Sequence, residues 1–514
     1  MEQYLIGVDL GTNGLKVALV DIKGNVISHN YQEMTIRSLG PGMMEQDADE
    51  FYLGTLRNIK IGLESTKINP SDVLAIGFDG QMGGLVGIDK EYNPVTHYDI
   101  VLDTRSQKFN TFLKENYGST IFEHTSGVWN HAAKILWWKN ENYEMYEKIY
   151  KFITLAPYVA GKMAGLNGHK AYIDYTSLFC SGLSEIKTMA WSDEICHLLG
   201  VEQAKLPEIV RPWKIIGRLS PGSARLCGLQ AGTPIVAGCG DQPAGFLAAG
   251  MVKHGMTIDV AGSTSVFSLC TDEFTPDLKY NRVVYMNSVL PNLYYALTYV
   301  SGGGIALRWF RDQFAHIEKQ ESERKRVSAF RLLDEKIRSI EPGSGALLFI
   351  PHLGGRACPN EPEIRGAWIG LNWGHTYAHL YRAILESIAY DHLVTLKVFR
   401  KLFPELTIDA VRVTGGGAIS DIWNQIKSDV LNLPYVRLDK SVLAVIGSSM
   451  IAGYAVGVYK DLKKTAQQLV SEVSRIYPNR DNHERYTSYM HGYERIFDCI
   501  KSIWNSLTEG ITQS

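Results

Sequence analysis

Leu5–Asp21, "LIGVDLGTNGLKVALVD", and Met256–Asp272, "MTIDVAGSTSVFSLCTD", follow one pattern. Each runs an apolar strand, an aspartate, a turn of glycine and hydroxyl residues, then a second apolar strand. A pattern that returns once, at long range, is not a tandem array. It predicts two related domains, each presenting a hairpin turn to the other. The length of 514 residues agrees, since it exceeds what one core supports. The boundary is expected between Ala244 and Gly255, giving domains 1–246 and 247–514.

Charge excludes some functions. Lysine and arginine total 52, aspartate and glutamate 54, for a net −2. Such a balance argues for neither nucleic acid nor an anionic membrane as partner. The start "MEQYLIGVDLG" lacks a basic region followed by an apolar core, and no apolar run approaches a membrane span. Seven scattered cysteines, with no Cys-x-x-Cys, argue against a metal cage or a disulfide framework. A cytoplasmic location is expected.

Along the chain, strand patterns at residues 4–21 and 72–89 flank an amphipathic helical stretch around Phe51–Leu63. Helical patterns are expected from Phe109 to about Gly200. The segment from Lys214 to Asp241 is expected to return to strands. The charged stretch "RDQFAHIEKQESERKRVSAFRLLDEK" reads as a solvated helical face. "HTYAHLYRAILESIAYDHLVTLKVF" has an inward face at helical spacing, and the chain closes on a helix after Pro478.

The chemistry gathers at strand ends. "GCGDQPAG" places Asp241 after the apolar run "TPIVA". Its residue types allow a helix cap or a catalytic carboxylate. Four glycine turns recur: Asp9–Gly14, Ala261–Ser265, Ser301–Gly304 and Thr414–Gly417. Glycine lets backbone approach a ligand closely, and successive N–H groups form anion nests. Hydroxyls of Thr12, Ser263 and Thr264 add donors. A phosphate-rich ligand in a cleft follows. The turns match neither a P-loop nor a Rossmann fingerprint, since Pro243 stands where the third glycine would be. Asp9, inside a strand, needs a partner: Mg²⁺ escorting a nucleotide, or N–H groups of its own turn. Lys16 reads as solvated.

"RGAWIGLNWGHTYAHLYRAILE", Arg365–Glu386, resembles the C-terminal signature of the FGGY carbohydrate kinases. "DLGTNGLK", "GQMGG", "AKILWW", "GCGDQPAG", "FIPHLGGRACP" and "TGGGAISDIWNQIKSDVL" resemble further family segments, in order, over nearly the whole chain. The resemblance implies an α/β, two-domain actin/hexokinase-like (ribonuclease H-like) fold with a deep interdomain cleft. Sugar would lie against the first domain and Mg-ATP against the second. It implies Asp241 as general base. Sugar contacts would come from Gln81, Met82, Gly83, Asp103, Trp129 and Gln242. ATP contacts would come from Gly11, Thr12, Asn13, Gly262, Ser263, Thr264, Gly303, Gly304, Gly415, Gly416 and Ser420, with Asp9 toward the metal.

The look is closest to xylulokinases, with departures on the sugar side. Gly83 follows Met82 where xylulokinases carry histidine. "VLDTRS" keeps Asp103, Arg105 and Ser106 but has no tryptophan. Trp129 suits a pocket wall or a core. The expected reaction is ATP-dependent phosphorylation of a pentulose such as D-xylulose. Alternatives are gluconate, another ketose, a quorum-signal polyol, or a non-catalytic sugar and ATP binder. Glycerol fits least, because glycerol kinases carry Arg-Glu after the turn's glutamine. A homodimer is the assembly to test.

Overall fold

The computed structural model describes residues 2–361, 363–440 and 442–512. Two seven-stranded sheets organise it. In the first, the hairpin Tyr4–Leu10 and Gly14–Asp21 continues into Val26–Glu33 on one side. On the other side Tyr4–Leu10 pairs in parallel with Val73–Gly80, which pairs in parallel with Pro234–Val236 and Cys239–Gly240. The second sheet repeats this plan. Thr257–Ala261 and Ser265–Thr271 form the hairpin, Tyr294–Val300 extends it, and Val411–Thr414 and Tyr435–Leu438 continue it in parallel. This is the two-domain α/β architecture the resemblance implies.

Tyr4–Leu10 and Ser265–Thr271, one hairpin strand of each sheet, are buried along their whole length. Two helices cross between the sheets. Asp241–Ala248 leaves the first sheet and buries Phe246 edge-on against Tyr295 of the second, ring centroids 4.8 Å apart. Leu443–Ala455 leaves the second sheet and lies on the first. Its backbone comes so close that a Cβ at Gly7 would sit 1.9 Å from the Val445 carbonyl oxygen, and one at Gly77 2.1 Å from that of Ser448. Only glycine allows that approach. One core runs through this junction, from Leu5 and Ala75 through Leu247 to Ile258 and Ile446.

Some expectations are corrected. Helices fill 107–124, 130–141, 143–148 and 155–164, but the chain then leaves helix. Gly165 ends the last of these at φ +69°, and the Asp174 carboxylate takes the N–H groups of Thr176 and Ser177, fixing a turn. Residues 172–191 are short strands and turns, with one more short helix at Asp193–Leu198. Inside the stretch expected as strands, Pro221–Cys227 is a helix, because Ser220 caps it and Pro221 opens it. The final helix spans Arg480–Thr512. Among the described residues no helix is long and apolar enough to cross a membrane.

Candidate active site

Register brings three carboxylates together. Asp9 lies opposite Asp79 on the parallel strand pair, and Gly240, one residue before Asp241, lies opposite Gly80. All three aspartates therefore end neighbouring strands at the same edge, where open α/β sheets bind ligands. Asp79 is fully buried, with the Ser448 hydroxyl and the Asp9 carboxylate beside it. Burial first, then the charges of Asp9 and Asp241, push it well above the usual carboxylate range. Asp79 is a site residue that sequence reasoning missed. Its signal was an aspartate closing an apolar strand just before a glycine, the same cue that marked Asp9.

The partner of Asp9 is Lys16, whose Nζ lies 2.7 Å from Oδ2. The two face each other across the hairpin, so register makes the pair. The expectation of a solvated Lys16 is thereby corrected. Burial works against the ammonium, but the charge and hydrogen bond of Asp9 outweigh it and raise its pKa.

Asp241 is the first residue of its helix, with Gly240 as the cap. Its Oδ1 accepts the Gln242 N–H at 2.7 Å. Burial, then the charge of Asp9, lift the carboxyl to about 7, with the Gln242 N–H and Lys16 opposing. Gln242 offers its Oε1, buried and without a partner, beside this carboxyl.

The "GQMGG" turn is tied to the first glycine turn. Thr12 Oγ1 donates to Gln81 Oε1 at 3.2 Å, and Gln81 Nε2 donates to Gln46 Oε1 at 2.9 Å. Gln46 Nε2 closes the ring on the Thr12 carbonyl at 2.8 Å. Gly11 and Asn13 hold this turn through backbone bonds to Gly14 and Met34. Met82 buries its side chain in the core cluster that also holds Cys239 and Phe246. Its carbonyl meets His131 Nε2 at 2.7 Å. Sequence reasoning missed Gln46 and His131, which reach the turn from distant elements. Gly83 packs near Val101. Asp103 is held inward: its oxygens accept Arg105 Nε at 2.9 and 2.8 Å and the Met44 N–H at 2.8 Å. Trp129 is partly buried and packs against the core cluster that contains Leu136 and Leu199.

The second domain encloses a cavity of about 970 Å³. Gly262, Ser263, Gly304, Gly416 and Ser420 line it. Backbone bonds zip two turns together, Gly304 N–H to the Gly262 carbonyl at 2.8 Å and Ile305 N–H to that of Ser263 at 3.0 Å. Gly415, at φ +83°, supports them from behind, where a Cβ would lie 2.9 Å from Ala261. Thr264, Gly303, Gly415 and the Gly11–Asn13 turn are not among the lining residues. Arg308 lines the cavity and donates to Ser263 Oγ at 2.6 Å, adding a cation beside the turn. The end of the charged stretch expected as a solvated face also lines the cavity, through Arg326, Ser328, Phe330, Arg331 and Asp334. The helix Ala329–Ile337 buries Leu332, Leu333 and Ile337 and turns the intervening residues toward this space.

A Mg²⁺ ion travelling with nucleotide phosphates asks the protein for only one or two carboxylates. Among the described residues no group of three or more His, Cys, Asp or Glu has the placement to hold an ion by itself. The strand-end carboxylates Asp9 and Asp241 fit the first demand, with phosphate and water oxygens completing the shell.

Comparison with known proteins agrees with this geometry. Residues 4–248 match the N-terminal domain, and residues 260–456 the C-terminal domain, of the FGGY family of carbohydrate kinases. A xylulose kinase of Bacillus subtilis (strain 168) is 26% identical over 509 residues, covering 98% of this chain and 99% of the relative. A gluconokinase of Bacillus licheniformis is 26% identical over 496 residues, covering 95% and 94%. The crystal structure of ligand-bound xylulose kinase from Lactobacillus acidophilus superposes with a TM-score of 0.88 at 21% identity, covering 98% of this chain and 100% of that one. With both domains matched in order and the strand-end carboxylates in place, the chain belongs to the FGGY family of carbohydrate kinases.

Proposed function

We propose that this sugar kinase transfers the γ-phosphoryl group of ATP to a hydroxyl of a neutral pentulose such as D-xylulose, with Asp241 as general base. The observation that carries the reading is Asp241 itself. Its carboxyl is lifted to about 7, near the pH at which a base works best, and only one oxygen is engaged by the backbone. The other oxygen takes the hydroxyl proton as the sugar oxygen attacks phosphorus. Gln242 Oε1 and the Gln81 ring supply hydrogen-bonding groups that orient the polyol. Phosphate oxygens lie against Ser263, in the turn that lines the cavity, with Arg308 neutralising charge. Asp9 would hold Mg²⁺, which when bound would supply further charge neutralisation. Phosphoryl transfer relies mainly on such positioning and neutralisation.

Charge supports a neutral acceptor over gluconate. The site gathers Asp9, Asp79 and Asp241 around Lys16, and that lysine already serves Asp9. A substrate carboxylate would meet carboxylates rather than a free cation. A panel of D-xylulose, other ketoses, gluconate and glycerol, read by ADP release, tests this. Gluconate turnover with no pentulose turnover would overturn the substrate, and no sugar-dependent ADP release at all would overturn the reaction.

A further inference from the structure

The nucleotide cavity holds one carboxylate unlike its other acids. Glu335 and Asp421 are exposed at its lining and pair with arginines, Arg331 at 3.6 Å and Arg437 at 3.4 Å. Asp334 is half-buried and bonded by neutral hydroxyls. Ser420 Oγ donates to Oδ2 at 2.6 Å and Tyr381 OH to Oδ1 at 3.4 Å. Ser420 also accepts the Trp423 N–H at 3.2 Å, so it is committed as a helix cap and cannot swing to a ligand. A carboxylate has about four acceptor sites, and two remain open here. Burial lifts Asp334 to about 6, which leaves it an anion at neutral pH. Phe330, Ile419 and Ile422 give the lining apolar walls, among four arginines of which Arg338 acts on Asp334 by its charge. Ile419 is 74% exposed, a flat apolar surface of the kind a base covers. The arginines of the lining are donors only. Apolar side chains beside an acceptor held in place by two hydroxyls are how a site fixes a planar heterocycle in one orientation.

We propose that the Asp334 carboxylate reads the nucleobase: it accepts a hydrogen bond from the exocyclic 6-amino group of adenine and sets an unpaired acceptor against the 6-oxo group of guanine or hypoxanthine. This rests on the ATP-kinase reading and adds the residue that makes the nucleotide ATP rather than GTP or ITP. A 6-oxo purine would bring carbonyl oxygen to carboxylate oxygen, and neither has a proton to share. Sites built on a buried hydrogen-bonding partner reject the mismatched ligand strongly.

Binding to the full-length protein, measured by calorimetry, separates this from the kinase reading. The wild type should bind ADP at least about tenfold more tightly than GDP, given the usual cost of an unpaired polar group. Asp334→Asn can turn its NH₂ toward a 6-oxo group, so its ADP:GDP preference should fall to about threefold or less. Asp334→Ala should lose ADP affinity without gaining GDP, which a merely structural role could not distinguish from the asparagine variant. Purine riboside diphosphate, which lacks a 6-substituent, should bind the wild type about tenfold less tightly than ADP. It decides the matter if the variants fail to fold. Equal binding of ADP and GDP by the wild type, an unchanged preference in folded Asp334→Asn, purine riboside diphosphate binding like ADP, or no binding of any nucleotide would each overturn the proposal. An ADP preference that follows Asp334, with no sugar phosphorylated, would uphold it and overturn the kinase reading instead.

Discussion

Replacing Asp241 by asparagine should remove catalysis and, above neutral pH, make the protein harder to unfold. Loss of a general base costs about 10²–10⁴-fold in kcat. The stability effect has the opposite sign because the folded carboxyl is lifted from 3.8 to about 7. Below about pH 4 both folded and unfolded states are protonated, and the group contributes nothing. As pH rises, the unfolded chain ionises first, so stability is lost until the folded carboxyl ionises near 7. At about 1.4 kcal/mol per tenfold, the full rise corresponds to about 4 kcal/mol. The residue is only half-buried, so solvent screens part of this, and about 2 kcal/mol is the expected figure. Asparagine carries no such loss. The variant and the wild type should melt together near pH 4, and the variant should melt higher by a few degrees at pH 8. Thermal melts at the two pH values and an ADP-release assay measure both effects. A variant that keeps more than about a tenth of wild-type kcat, or a stability gap identical at both pH values, would refute the reasoning.

Lys16→Met removes the cation that opposes the rise of Asp241 and holds Asp9; the acid limb of kcat/KM should move to higher pH, and a limb left in place would separate Lys16 from the base. In Gly83→His the new Cβ meets Val101 Cγ2 at 2.9 Å, so the half-exposed valine must rotate and an imidazole enters the turn. The ranking of D-xylulose among polyols should change; an unchanged ranking in folded protein would mean that the turn does not face the sugar. The cavity is lined by the second domain alone while Asp241 belongs to the first sheet's edge, so reaction requires the domains to close. Small-angle scattering should show a more compact protein with sugar plus a non-hydrolysable ATP analogue than without, and identical profiles would argue against a hinge.

The paired hairpins, the strand-end position of Asp241 and the glycine turns of the second domain were legible because each is local: an apolar run followed by glycine states where a strand stops. What escaped depends on registry between distant segments. Asp79 matters because it lies opposite Asp9 across a parallel pair. Gln46 and His131 reach the Gln81–Met82 turn from elements far along the chain. Lys16 looked solvated because an alternating strand carries exposed lysines, yet its cross-strand neighbour is an aspartate. The residues 326–334 read as surface because charge dominates them. Leu332 and Leu333 go to the core, while Val327, Phe330 and the polar residues line a cavity, which is wet as a surface is. Asp103 keeps its place in the sequence pattern while its carboxylate is spent on Arg105 and the Met44 N–H.

The two hairpins look alike in sequence, but a shift of one residue gives their aspartates different work. Asp9 stands two positions before Gly11, whereas Asp259 stands three before Gly262. Successive strand residues point to opposite faces, so that shift sends the second carboxylate to the far side of its sheet. Val260, at the place equivalent to Asp9, faces the junction between the domains. Asp259 turns into the core, where Lys427 Nζ meets its Oδ2 at 2.5 Å, both side chains fully buried, and Ser265 Oγ donates to its Oδ1 at 3.4 Å. Burial pulls the Lys427 pKa down, and Asp259 opposes that fall. The difference suits the ligands. The hydroxyl of the proposed sugar needs a base at the strand end, and Asp241 stands there beside Asp9. A triphosphate is repelled by one, and the second domain keeps its strand-end carboxylate turned away and paired.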